Sequence, residues 1–453
     1  MLVKIDKIIY TGWGLGRDSN GRVVLVKKSV PGDTIEVDIM AEKKNCVLGR
    51  VGRVVRSGPA RIEPACVNFD RCGGCEHMNV AYPVQLQIKS AAFAEVLVRQ
   101  GLDIKPEPII AGAQENFYYR NSIRFFFHRE ADGTISFARH RGDTAATTES
   151  AGLLPIDYCL LQSKTSNKIL ARLKSVLNSS PKSNSSLWQI KIREGKTTGE
   201  FMVEIVTTSE ELPNQREIVT ELAKVTGVKS LYHTVAPAKS LKNLRRRLIF
   251  GSPVIREKVG RFTFQISPES FFQTNALAIK TLYDTIKKYA EVKPGDTVLD
   301  LYCGTGTIGI YLSTLAKKII GVETVAGAVR DARDNLRLNH IHNCEFVCTD
   351  VNKYLEAFST EHLDFDIIVV DPPRAGLAPR IIQILSHLAL SHSQTRFIYV
   401  SCNPATFACD AKLLESGGVR LRKIQPIDMF PHTHHIECVG LFTATPKIKQ
   451  VLQ

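Results

Sequence analysis

Beyond residue 261 the sequence alternates five strand-forming runs with stretches of helical pattern. The runs are DTVLDLY (296–302), KKIIGVE (317–323), CEFVCTD (344–350), FDIIVVD (365–371) and RFIYVSC (396–402). Apolar strands separated by helical crossovers specify a parallel sheet with both faces covered. Residues 261–453 are therefore expected to form a doubly wound, Rossmann-like α/β domain with its ligands at the carboxyl ends of the strands.

The first run enters a glycine-rich turn, TVLDLYCGTGTIG (297–309), in which Gly304, Gly306 and Gly309 fit G-x-G-x-x-G. Taken alone this is also a dinucleotide fingerprint, so an NAD-dependent oxidoreductase competes. Acids at successive strand ends, Asp300, Glu323, Asp350 and Asp371, would repel a pyrophosphate and tolerate a cationic sulfonium. S-adenosylmethionine is therefore the expected cofactor. Glu323 is expected to accept hydrogen bonds from ribose hydroxyls and Asp350 to meet the adenine amino group. Asp300 either braces the glycine loop or touches the cofactor.

Four further blocks, SPESFFQTN (267–275), DPPRAGL (371–377), SCNP (401–404) and FPHTHHIE (430–437), are dense in chemistry. With them the chain resembles the RNA uracil-C5 methyltransferase family. The resemblance implies an RNA (uracil-5-)-methyltransferase of class EC 2.1.1. It also implies a cofactor pocket of Gln273, Tyr302, Thr307, Glu323, Asp350 and Asp371.

Uracil C5 is too weak a nucleophile to attack a methyl sulfonium until a thiolate adds at C6. Cys402, after an apolar strand and before an Asn-Pro turn that exposes its sulfur, is the expected nucleophile. The resemblance makes Glu437 the base that removes the C5 proton, and Arg374 a support for the thiolate or a phosphate. Cys303, Cys344, Cys348, Cys409 and Cys438 are expected as small core residues. His432, His434 and His435 are expected to be structural rather than zinc ligands.

Residues 1–60 alternate short β-rich runs with Gly, Asn and Pro turns and hold eleven Lys and Arg against six Asp and Glu. A small closed β-barrel follows. It resembles the TRAM domain, which implies RNA binding; the competing reading is a barrel that only packs. Residues 61–260 read as a mixed α+β central domain, with a helical stretch near 83–102 packing on the catalytic domain and an exposed loop at 178–186.

Cys66, Cys72 and Cys75 form C-x5-C-x2-C, with Cys159 far downstream. Four thiolates can hold zinc or a cubane cluster. The family resemblance maps all four onto ligands of a structural [4Fe-4S] cluster that would pin the loop 66–75 to the segment around 159.

A net charge of +14 and a pI near 9.2 favour a polyanionic partner. The segment FYYRNSIRFFFHR (117–129) interleaves aromatics with cations, which suits either stacking on unpaired bases or a buried strand. Lys239, Lys242, Arg245, Arg246 and Arg247 form a second basic run that either tracks a backbone or is a solvated face. The expected partner is RNA, 23S ribosomal RNA in preference to transfer RNA, with the uridine flipped out of its stack. DNA and a non-catalytic RNA-binding iron–sulfur protein are the remaining rivals.

No run of roughly 18 apolar residues is present, and the first segment carries charges where a signal peptide would be apolar. Eleven cysteines, an odd number, argue against a disulfide framework. A monomeric cytoplasmic protein without a membrane partner is expected.

Overall fold

A computed structural model of the chain describes all residues except 114, 143–151, 180–183, 238, 241–243, 359–364, 392–393 and 446–453. Lys242 and part of the 178–186 loop lie outside the described residues.

Strands β1 (Leu2–Ile8), β2 (Trp13–Arg17), β3 (Val23–Lys27), β4 (Thr34–Lys43) and β5 (Cys46–Arg56) close into a barrel in the order β1-β2-β3-β5-β4. Alternate residues such as Val3, Ile5, Val24 and Val26 fill its interior, as a period of two requires.

Helix α1 (Tyr82–Arg99) starts with Pro83 in its first turn, where the missing N–H costs nothing. Its Phe93 and Leu97 join a core on the C-terminal sheet. The two-residue strand β6 (Ile110–Ala111) then adds to the far edge of that same sheet.

A seven-stranded sheet follows, built from β7 (Ser122–Arg129), β8 (Ile135–His140), β9 (Leu153–Pro155), β10 (Leu187–Gly195), β11 (Glu200–Thr207), β12 (Val228–Val235) and β13 (Arg245–Gly251). Its order is β13-β12-β11-β10-β7-β8-β9. Helices α2 (Lys164–Ser179) and α3 (Gln215–Ala223) cover one face. A hairpin of β14 (Ile255–Val259) and β15 (Phe262–Ile266) leads into the next unit.

That unit runs α4 (Ala276–Ala290), β16 (Thr297–Leu301), α5 (Thr307–Leu312), β17 (Lys318–Glu323), α6 (Ala326–Leu338), β18 (Cys344–Cys348), α7 (Val351–Phe358), β19 (Ile367–Val370), α8 (Pro379–Ser391), β20 (Arg396–Ser401), α9 (Pro404–Ser416), β21 (Val419–Asp428) and β22 (Glu437–Ala444). The sheet order is β18-β17-β16-β19-β20-β22-β21-β6, with β16 to β20 mutually parallel and β22 antiparallel to β20.

Successive residues of each strand feed opposite cores. Val298, Ile367 and Ile398 pack with α4, α5 and α6, while Leu299, Ile368 and Phe397 pack with α1, α8 and α9. The strand order reverses between β16 and β19, so their carboxyl ends diverge into a crevice.

Candidate active site

Strand β16 delivers the chain into a turn in which Tyr302, Gly304 and Gly306 have φ of 61°, 54° and 75°. Glycine is undemanding there, whereas Tyr302 holds a conformation that costs an ordinary residue energy. A Cβ on Gly306 would fall 2.3 Å from the Phe346 ring, so the loop sits directly on β18.

Asp300 is fully buried, and its Oδ2 accepts a 3.0 Å bond from the Gly309 N–H. It therefore braces the loop. Burial pushes its carboxyl up to about 8.

Glu323, at the end of β17, accepts from Gly304 N–H at 3.2 Å and from Val325 N–H at 2.8 Å. Each oxygen keeps a further lone pair for a ribose hydroxyl. Asp350 caps α7 by accepting from Asn352 N–H at 2.9 Å. The Thr307 hydroxyl accepts a 2.6 Å bond from Tyr283, so its side chain is engaged within the protein.

Gln273 lies in a loop clamped from two sides. Asp331 Oδ2 accepts from Ser267 Oγ at 2.6 Å and from Ser270 Oγ, while Arg193 donates to the carbonyls of Ser267 and Ser270. Asn121 donates to the Gln273 carbonyl at 2.8 Å. Arg193, Asp331 and Asn121 come from distant stretches of chain, and no local motif announces them.

Cys402 occupies the turn between β20 and α9. The next residue, Asn403, caps α9 by accepting from Ala405 N–H, and Pro404 follows in the first turn. A thiolate ahead of a helix N-terminus is favoured by the macrodipole.

Strands β20 and β22 pair with Ser401 opposite Cys438, so Cys402 and Glu437 emerge side by side at one sheet end. Burial and Glu437 push the Cys402 thiol up to about 11, while Arg374 opposes the shift by charge and by a hydrogen bond to the sulfur. Burial, and then Asp371, hold Glu437 well above the usual carboxylate range against the pull of Arg374. Asp371 is itself lifted to about 7 by burial.

Asn403 Nδ2 donates to the Arg374 carbonyl at 3.0 Å, fixing the DPPR turn to the SCNP turn. A pocket over the sulfur is lined by Tyr10, Thr11, Arg374, Cys402 and His435, among others.

The loop before Glu437 is held by residues that sequence motifs did not single out. Gln85 accepts from the His432 N–H at 3.0 Å, and the Glu76 and His77 N–H groups both donate to the His432 carbonyl at 3.0 Å. His434 pairs with Glu76 at 3.3 Å, and His435 faces Arg374. All three histidines thus have protein partners.

Cys66, Cys72, Cys75 and Cys159 line one cavity beside a small core of Phe69, Met78, Tyr119 and Leu161. Burial raises Cys66, with Cys72 and Cys159 adding to the shift. Among the described residues no set of three or more His, Cys, Asp or Glu stands ready to hold a metal ion. The four thiols surround one common space.

Several readings change with the fold in view. In the 117–129 segment Tyr119, Ile123 and Phe125 are buried and Phe117 stacks on His432 with centroids 4.4 Å apart, so β7 turns alternate residues inward while the others stay partly exposed. Arg246 bonds Glu204 and Glu269, and Arg245 pairs with Glu210, so the second basic run is partly neutralised. Cys303 and Cys438 are core residues, but Cys348 and Cys409 are exposed, because each sits on the outer side of its element. Among the described residues no helix is long and apolar enough to cross a membrane.

Residues 81–445 match the family model described as tRNA (uracil-5-)-methyltransferase. An uncharacterized RNA methyltransferase of Bacillus cereus is 31% identical, covering 98% of this chain and 96% of its own. One of Halalkalibacterium halodurans is 32% identical over 97% and 96%. The crystal structure of Pyrococcus abyssi tRNA (uracil-54, C5)-methyltransferase with S-adenosyl-L-homocysteine superposes with a TM-score of 0.75 at 28% identity, covering 97% of this chain and 99% of that one.

Proposed function

The chain belongs to the RNA uracil-5-methyltransferase family and is an S-adenosylmethionine-dependent RNA methyltransferase of class EC 2.1.1, and from that premise we propose that it methylates C5 of a uridine through Cys402 and Glu437. The observation that carries the reading is the pairing of β20 with β22, which puts a thiol and a buried carboxyl next to each other beside Arg374.

In this reading the Cys402 thiolate, favoured by Arg374, adds to C6 of the flipped uracil, and the electron pair of the C5–C6 double bond moves onto C5 and O4. S-adenosylmethionine supplies the methyl group that C5 takes up. Glu437 then removes the C5 proton, the C6–S bond breaks, and the ring double bond is restored. Burial raises the proton affinity of Glu437, which makes its carboxylate, once ionised, a stronger base toward the C5 proton.

Gln273, Tyr302, Thr307, Glu323, Asp350 and Asp371 form the cofactor pocket of this proposal. The bonds of Glu323 and Asp371 to the Gly304 loop and its strand support it. Thr307 acts through its backbone and through Tyr283.

Cys66, Cys72, Cys75 and Cys159 are proposed ligands of a [4Fe-4S] cluster. Four thiols around one cavity suit that group, which would pin the 66–75 loop to residue 159. The barrel of residues 1–60 is read as a TRAM-type RNA-binding unit, residues 61–260 as the cluster-bearing domain and 261–453 as the methyltransferase domain. The protein is read as acting as a cytoplasmic monomer.

Sequence reading favours 23S ribosomal RNA as the substrate, while the named activity of the Pyrococcus neighbour favours transfer RNA. Both are tested together. Purified protein is incubated with 5-fluorouridine-containing transfer RNA and 23S RNA in the presence of S-adenosylmethionine. A denaturant-resistant protein–RNA adduct on one of them, absent in Cys402→Ala, supports the proposal; no adduct on either overturns it.

A further inference from the structure

The barrel reaches the reaction site through one turn. The connection between β1 and β2 is closed by Gly12 N–H to Ile9 carbonyl at 2.8 Å and by Ile9 N–H to Trp13 carbonyl at 2.9 Å. Gly12 has φ of 83°, and a Cβ there would fall 2.8 Å from Cβ of His434. The turn is therefore seated on the loop that ends in Glu437, with no room for a side chain between them.

This seating puts Tyr10 and Thr11 on the wall of the pocket that holds Cys402 and Arg374. Tyr10 is 38% exposed, whereas Cys402 on the same pocket is half-buried. A phenol ring held at the rim by a hydrogen-bonded turn loses little freedom when a flat group stacks on it.

An RNA base lifted out of its stack leaves its neighbour with one face uncovered. An aromatic side chain at the mouth of the pocket replaces the lost stacking whatever that neighbour's identity. The target uracil has to pass the rim to reach the sulfur, so the ring at the rim meets the nucleotide beside it.

We propose that Tyr10 is a substrate-contacting residue, on whose ring the base next to the target uridine stacks. The inference rests on the assignment of Cys402 as nucleophile. It makes the barrel part of the reaction pocket as well as a surface for RNA.

The test compares wild type with Tyr10→Ala, Tyr10→Leu and Tyr10→Phe, using total RNA from cells that lack this protein and tritiated S-adenosylmethionine. Removing the stack is expected to raise KM for RNA about tenfold in the Ala and Leu variants, with kcat and KM for the cofactor within about twofold and Phe close to wild type. Leu keeps apolar volume at the rim without a stacking face, and thermal unfolding of each variant checks that the barrel stays folded.

An unchanged KM for RNA in Ala and Leu, or a Phe variant as impaired as Ala, would overturn the proposal. Retention of a single-stranded oligouridine on filters decides the matter independently of turnover. Weaker retention by Ala and Leu than by Phe supports stacking, and equal retention by all overturns it. A wild-type protein that transfers no methyl group to uridine would instead sink the assignment of the reaction.

Discussion

Lys89 Nζ lies 2.7 Å from Asp428 Oδ1, with both side chains sealed from solvent. The same ammonium donates to the carbonyls of Phe430 at 3.0 Å and His435 at 2.9 Å, and Tyr82 donates to the second Asp428 oxygen. One side chain of α1 thus ties down both ends of the loop that presents Glu437. Desolvation lowers the proton affinity of Lys89 and Asp428 counters it.

Replacing Lys89 with Met strands a buried carboxylate, and unfolding in urea is expected to lose about 3–5 kcal/mol. The double variant Lys89→Met, Asp428→Asn is expected to recover a large part of that loss. Equal stability of single and double variants would show that the pair is not the source.

Asp300 gives the fold a pH dependence of known sign. Its carboxyl is raised from the ordinary value of 3.8 to about 8, first by burial. The stability it contributes is complete below its unfolded value and is lost as pH rises through about 8. Thermal unfolding of the wild type, followed from pH 5 to 9, should therefore fall with a slope that Asp300→Asn reduces.

The thiol of Cys402 has a reactivity set by its neighbours. With the thiol near 11, alkylation by iodoacetamide should be slow at neutral pH and rise about tenfold per pH unit. Arg374→Ala should slow it further by removing the charge and hydrogen bond that favour the thiolate, and Glu437→Gln should speed it only in the alkaline range, where the Glu437 carboxyl is ionised. Peptide mass spectrometry, which separates Cys402 from exposed Cys348 and Cys409, checks the order of the three rates.

Gly306 combines φ of 75° with a ring 2.3 Å from any added Cβ. Gly306→Ala should weaken S-adenosylhomocysteine binding at least about tenfold, since strain and displacement of the loop together exceed about 1.4 kcal/mol. Calorimetric titration measures it. Phe346→Leu in the same chain should restore part of the affinity by making room.

The parts of this molecule legible in sequence are those whose cause is local. The five strand runs and the turn at Gly304 and Gly306 each carry their own periodicity or backbone demand within a dozen residues. The barrel strands likewise carry theirs in the alternation of Val24, Val26 and their neighbours.

What depends on register between distant strands was not legible. The adjacency of Cys402 and Glu437 comes from Ser401 pairing with Cys438, and the family resemblance, not spacing, named Glu437 as the partner of Cys402 beforehand. The contribution of β6 to the catalytic sheet is two residues long, too short for any pattern. The 117–129 segment reads equally as a stacking surface or a strand until Ile123 and Phe125 are seen inside the central core. Lys89, Gln85 and Glu76 reach Asp428, His432 and His434 from a distant stretch of chain, where sequence offers no signal.

The most direct test of the central claim uses Glu437→Gln with unmodified RNA substrate and S-adenosylmethionine. With the base removed, the methylated nucleotide should remain bonded to the protein, and mass spectrometry should find it on the peptide containing Cys402. Free 5-methyluridine formed at the wild-type rate, or an adduct on another cysteine, would contradict the assignment of these two residues.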